Sequence, residues 1–178
     1  MVVTLKQTEA VPASYPATPS GLSAAAVALP AQMIWQRIEA YISARWTARA
    51  VVWTVEGPGE WVALLSPATI SLVEEWTGTA WQTATPDGSP LGGYELEDKT
   101  YRLTASVGGG TVPAAVNEAF RRLAEYMAAD VGVAGAASEK QDVGPVSVEH
   151  SRNPAWMARA MINSGAADLL RPFSRPLK

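Results

Sequence analysis

The spacing of apolar residues changes several times along the chain, and each change marks an element. Ile34, Ile38, Tyr41, Ile42 and Trp46 recur at three- and four-residue intervals, the apolar stripe of a helix over 31–47. From Ala48 the period shortens. "AVVWTVEGPGEWVALL", "TISLVEEWTGTAWQTA" and "GGYELEDKTYRLTASV" each set two β-rich runs around a turn, at Gly57-Pro58-Gly59, Thr77-Gly78 and Asp98. Tyr94 and Leu96 alternate with Glu95 and Glu97, and Tyr101 and Leu103 with Arg102 and Thr104, as in a sheet with one buried face. The pattern predicts an antiparallel β-meander over 49–107, broken by Gly108-Gly109-Gly110.

After Pro113 the helical period returns. Val116, Phe120, Leu123, Met127 and Val131 form a stripe that predicts a helix over 113–131, with Glu118–Arg122 and Arg121–Glu125 as i,i+4 pairs. A long loop follows, with room for a short strand at 146–149. Asn153 and Pro154 then supply start signals for a last helix over 153–165, which carries Met157, Ala160, Met161 and Ser164 on one face. The fold class is α+β.

The two ends read as arms. Residues 1–30 are rich in Pro, Ala and Ser from residue 8 onward and predict an extended arm with at most a short helix over 22–29. Residues 166–178 combine apolar anchors (Leu169, Leu170, Phe173) with Arg171, Arg175 and Lys178. Pro172 and Pro176 stiffen this stretch and lower the entropy lost when it is ordered on a partner. The expectation is that the chain from about Asn153 leaves its own core and docks on another protein, with Trp156, Met157, Leu169, Leu170, Arg171, Phe173 and Arg175 as contacts. The alternative is that the apolar residues fold back on their own domain.

Composition narrows the function classes. At 178 residues and 48% hydrophobic the chain can build one core of ordinary size. It holds no apolar run near the roughly 18 residues of a membrane span, and its start lacks the pattern of a signal peptide. There is no cysteine, hence no disulfide, thiolate nucleophile or Cys-bound metal. Net charge is −3, which speaks against general nucleic-acid binding. Its distribution is uneven: residues 49–106 hold eight acids against three bases, and residues 151–178 five bases against Asp168. Glu56, Glu60, Glu74 and Glu75 are candidates for an acidic surface that faces a neighbour's basic end.

Catalytic motifs are lacking. His150 is the one histidine. No Gly-x-Ser-x-Gly elbow is present, and Gly108–Thr111 lacks phosphate-loop spacing. Glu74 and Glu75, adjacent on a strand, point to opposite faces and cannot act as a carboxylate pair. Neither a metal nor a cofactor is indicated, and isolated carboxylates are the remaining route to an enzyme. The tryptophans leave two readings open. Trp53 with Trp61, and Trp76 with Trp81, flank turns; they either pin hairpins as cross-strand pairs or form a platform for sugars in a Trp-rich binding module.

The order of these features resembles the head–tail adaptor (connector) proteins of long-tailed phages and gene transfer agents. The likeness is carried by a helix running into Trp46 and Arg49, by "GPGEWVALLSPATISLVEEW", by "GGYEL" before "VPAAVNEAFRRLAEYMA", and by "NPAWMARAMINSGAADLLRPF", together about residues 34–173. Members of that family usually begin with a helical hairpin, which residues 1–30 do not suggest. The resemblance implies a small antiparallel helical bundle with a β-sheet insertion and no catalytic residues. It further implies a ring of twelve copies beneath a portal protein, bound on its other side by a stopper or tail protein, with DNA passing without specific binding through a channel that Glu56, Glu60, Glu74 and Glu75 are candidates to face. The place implied is the virion, after assembly in the host cytoplasm.

Overall fold

A computed structural model describes residues 1–129, 138–143, 146–151 and 155–174. The chain is mixed α and β with antiparallel sheets. It divides into two compact units: a sheet unit from residues 1–16 and 43–111, and a helical unit from residues 17–42 and 112–174. The boundaries expected at residues 30 and 165 are therefore not where the chain divides.

The sheet unit contains β1 (Val3–Glu9), β2 (Arg49–Glu56), β3 (Gly59–Trp61), β4 (Ala68–Trp76), β5 (Trp81–Thr83), β6 (Asp87–Gly88), β7 (Tyr94–Leu96) and β8 (Thr100–Val107). One antiparallel sheet has the order β1-β2-β8-β4-β5 and the other β3-β7-β6. The expected meander is corrected: of the three expected hairpins only the one at Thr77-Gly78 pairs its flanking strands, with Trp76 opposite Trp81. At Gly57 the chain packs backbone to backbone instead of closing a hairpin. Its N–H bonds the Lys99 carbonyl at 2.9 Å, and a Cβ there would lie 1.9 Å from the Glu97 carbonyl oxygen. That close approach sends β3 into the second sheet.

Of the residues expected on the buried face, Leu96, Tyr101 and Leu103 are buried and Tyr94 is half-buried. Val51, Trp53 and Val55 of β2 and Tyr101, Leu103, Ala105 and Val107 of β8 share one core with Trp61, Leu96 and Val73 from the other strands. Trp53 and Trp61 are inside this core, edge to face at 5.4 Å between ring centroids, so this pair is not a surface platform.

The N-terminal arm is corrected as well. Val3–Glu9 is not free but forms the edge strand β1 along β2, from Val3 opposite Glu56 to Glu9 opposite Val51. Its register is fixed by polar side chains. The Trp61 indole donates to Thr4 at 3.2 Å, and the Trp53 indole to Gln7 at 2.7 Å. Arg45 and Arg49, both buried, reach Glu9 at 2.7 and 3.1 Å. Tyr15 extends the contact, its ring 5.7 Å from the Arg49 guanidinium.

In the helical unit, α1 (Ala24–Val27) and α2 (Ala31–Tyr41) precede α3 (Ala114–Ala128), the hairpin β9 (Ser138–Val143) and β10 (Val146–Ser151), α4 (Ala160–Asn163), α5 (Ala166–Leu170) and a 3₁₀ turn (Arg171–Phe173). Helix α2 buries Ile34, Trp35 and Ile38, with Trp35 4.9 Å from Phe120 of α3. It stops at Tyr41 and not at residue 47. Beyond it Ser43 and Arg45 exchange backbone hydrogen bonds with Ser66, which holds that stretch extended. Helix α3 buries Val116, Phe120, Leu123 and Met127 as its stripe predicts, while Val131 lies outside the described residues. Glu118 pairs with Arg122 at 2.9 Å. The second expected pair is not made: Arg121 turns to Glu118, and Glu125 accepts from the Ser23 backbone N–H and hydroxyl at 2.6 and 2.8 Å. Ser23, which also caps α1 by accepting from the Ala26 N–H, thus ties the start of this unit to α3.

Candidate docking surfaces

The C-terminal segment is built from short turns. A turn over residues 155–159 leads into α4, and Gly165 then takes a left-handed conformation (φ 73°) that ends α4 and starts α5. The helix expected over 153–165 is therefore reduced to one turn of α-helix, and Asn153 and Pro154 lie outside the described residues. Ala160, Met161, Ala166 and Leu170 are buried, and α5 packs against α3.

This burial corrects the docking-tail expectation. Leu170 is 0% exposed and belongs to the core of its own unit. Leu169 and Phe173 are half-buried. Trp156 is half-buried against Tyr126, 5.7 Å between ring centroids, and the Met157 carbonyl accepts from Arg37. Arg171 does face solvent, with Asp168 at 3.6 Å, and Arg175 lies outside the described residues. The structure adds Ile162, 68% exposed between the buried Met161 and the exposed Asn163. Its position one residue off the Met161 face was the available signal. Arg159, Ile162, Arg171 and Pro172 are exposed on this segment, with Asn163 and Asp168 beside them.

A first prediction follows from this contrast. Leu170→Ala is expected to cost at least about 2 kcal/mol, since it empties a closed site in the core. Ile162→Ser is expected to stay within about 0.5 kcal/mol, as surface changes do. Urea unfolding midpoints of the two variants check it.

The four acidic candidates do not form one surface. Glu56 is exposed at the end of β2, and Glu60 on β3 accepts from the Ser89 hydroxyl. Glu74 lies on the outer face of the five-stranded sheet, bound by Arg102 through two hydrogen bonds of 2.7 and 2.8 Å. Glu75 points the other way and lines a groove of about 390 Å³ with Asp87, Glu95, Glu97 and Lys99. Lys99 reaches Glu75 at 2.8 Å and Glu97 at 3.2 Å, and those hydrogen bonds push its pKa up to about 12. Asp87, Glu95 and Glu97 are not grouped with Glu75 by the sequence, because β6 and β7 belong to one sheet and β4 to the other.

The hydrogen bonds from Arg102 hold the Glu74 carboxyl below its ordinary value of 4.5. A lowered folded value means a contribution present in full above the unfolded value and lost as pH falls from there through the folded one. Arg102→Met is expected to bring the Glu74 titration back up toward its ordinary value and to flatten the acid limb of the stability profile. NMR titration of the Glu74 carboxyl reads this directly.

On the same outer face Arg102 lies 4.6 Å from the ring centroid of Trp81, and Trp81 is 5.2 Å from Trp76. Trp76 is 41% exposed. Of the two tryptophan pairs flanking turns, this is the one at the surface.

Among the described residues no group of three or more His, Asp or Glu side chains is placed to hold a metal ion, and no helix is long and apolar enough to cross a membrane. No family model, no curated protein and no solved structure matches the chain.

Proposed function

We propose that the chain is a structural head–tail adaptor of a tailed phage or gene transfer agent. In this reading copies form a ring beneath a portal protein, extend the DNA channel and present a surface to a stopper or tail protein. The observation that carries it is the path of the chain. The helical unit is interrupted between residues 42 and 112 by the sheet unit, a path that supports the β-inserted helical bundle the resemblance implies. The exposed Arg159, Ile162, Arg171 and Pro172 supply basic and apolar contacts for a portal, and the groove of the sheet unit sets Glu75, Asp87, Glu95 and Glu97 against Lys99, a net negative charge that would not hold passing DNA. The protein then resides at the head–tail junction of the virion, after assembly in the host cytoplasm.

Electron microscopy and native mass measurement test this, on the full chain alone and with DNA-filled heads lacking tails. A closed ring, of twelve copies by the family pattern, is expected on the heads. Ile162→Asp combined with Arg171→Glu should abolish head binding and leave the unfolding midpoint unchanged. Protein that never associates with heads or with itself overturns the proposal.

The exposed Trp76–Trp81 pair beside Arg102 favours one second reading, a β-sheet binding module for carbohydrate or protein. Glycan-array binding lost in a folded Trp81→Ala variant would establish it in place of the adaptor.

A further inference from the structure

The strand β1 is held on the sheet unit by a set of contacts that read its own sequence. Thr4 meets Trp61, Gln7 meets Trp53, and Glu9 meets Arg45 and Arg49. All four partners belong to residues 43–111. Without β1 the edge of β2 opens, and Arg45 and Arg49 lose the contacts that Glu9 makes with them. The edge of β2 is thus a receptor for an extended segment with Thr, Gln and Glu at those spacings.

The outer edge of β1 does not invite a further strand. A bulge between Thr4 and Lys6 breaks its ladder, and Lys6 is exposed there. Edges are blunted against further pairing in this way. Growth of the sheet by adding a strand outside β1 is disfavoured, which leaves replacement of β1 itself.

The connection that follows β1 permits replacement. Tyr15 is fixed on the sheet unit by Arg49, and Ser23 on the helical unit by Glu125. Residues 16–22 between them include Pro16, Pro19 and Gly21. Seven residues span at most about 25 Å. A proline-restricted connector of this length is a hinge of the kind through which identical elements are exchanged between protomers.

Resting on the ring reading, we propose that β1 is an exchangeable strand: in the assembled ring, residues 1–16 of each copy pair with β2 of the next copy. The contacts are the same whether the strand comes from its own chain or a neighbour's. Only tethering decides between the two. In a ring the neighbour's strand is also tethered, at an effective concentration set by the reach of the connector. Exchange then links every copy to the next without forming a new kind of contact, and the contact runs head to tail, as ring closure requires.

The absence of native cysteine makes the test clean. Thr8 faces Val52 and Lys6 faces Thr54 across the β1–β2 ladder, whereas Thr104 lies one strand further on, opposite Val52. Full-length Thr8→Cys and Val52→Cys proteins, carrying different tags, are mixed under ring-forming conditions, oxidised and separated without reductant. The expected result is a cross-linked heterodimer at least ten-fold more abundant than from Thr8→Cys mixed with Thr104→Cys. Lys6→Cys with Thr54→Cys repeats the measurement should one variant fold poorly. Exchange is overturned if both matched pairs cross-link no more than the mismatched one while a Thr8→Cys/Val52→Cys double variant closes within single chains. Native mass of the unmodified protein separates the two proposals. A ring without interchain cross-links defeats exchange alone, and cross-linked dimers without a ring defeat the ring alone.

Discussion

Glu9→Ala is expected to lower the unfolding free energy by about 3–5 kcal/mol, the usual cost of removing one partner of a buried ion pair. Glu9 bonds two arginines whose side chains are 8% and 4% exposed. Backbone carbonyls of Ala44 and Thr47 accept further hydrogen bonds from them. Removing Glu9 takes a carboxylate away from two buried guanidinium groups, and that loss of compensation sets the cost. Replacing all three residues together, as Glu9→Leu, Arg45→Met and Arg49→Met, should therefore cost less than Glu9→Ala alone. Denaturant unfolding of the two variants checks the order. Equal losses would mean that the pair matters through packing only.

Trp53→Ala is expected to cost a similar amount, about 3–5 kcal/mol. Trp53 is fully buried, touches Trp61 edge to face and anchors Gln7 of β1. Trp76→Ala, on the surface of the same sheet, should cost no more than about 1 kcal/mol, the scale of a cross-strand pair. Thermal or chemical unfolding followed by tryptophan fluorescence measures both. If the two variants lose the same stability, Trp76 supports the fold far more than its exposure allows.

Local signals in the sequence were reliable where contacts are local. The stripe of α3, the first turns of α2 and the Thr77-Gly78 hairpin each depend on residues within a few positions of one another. Non-local pairing was not legible. Val3–Glu9 has no strong β signal of its own; it becomes a strand because Trp53, Trp61, Arg45 and Arg49, some forty to sixty positions away, present partners to it. The runs around Gly57 and Asp98 looked like hairpins because β-rich segments flank a turn residue. The backbone contact between Gly57 and residues 97–99 could not be seen from either segment alone. The docking surface was half legible for a related reason. Leu169 and Leu170 are equally apolar, and only the left-handed Gly165 sets the phase that buries one fully and the other in part.

The interruption of the helical unit between residues 42 and 112 also sets a schedule during synthesis. Phe120, the α3 partner of Trp35, follows it by 85 positions. At about 5–20 residues per second, roughly 4–17 s pass before that partner is made. During this interval Ile34, Trp35 and Ile38 have no α3 to pack on, although every strand of the sheet unit is complete once residue 107 has emerged. The nascent protein thus holds every strand of the sheet unit before the α3 partner of α2 exists, and α2 is the segment on which a ribosome-associated chaperone would act.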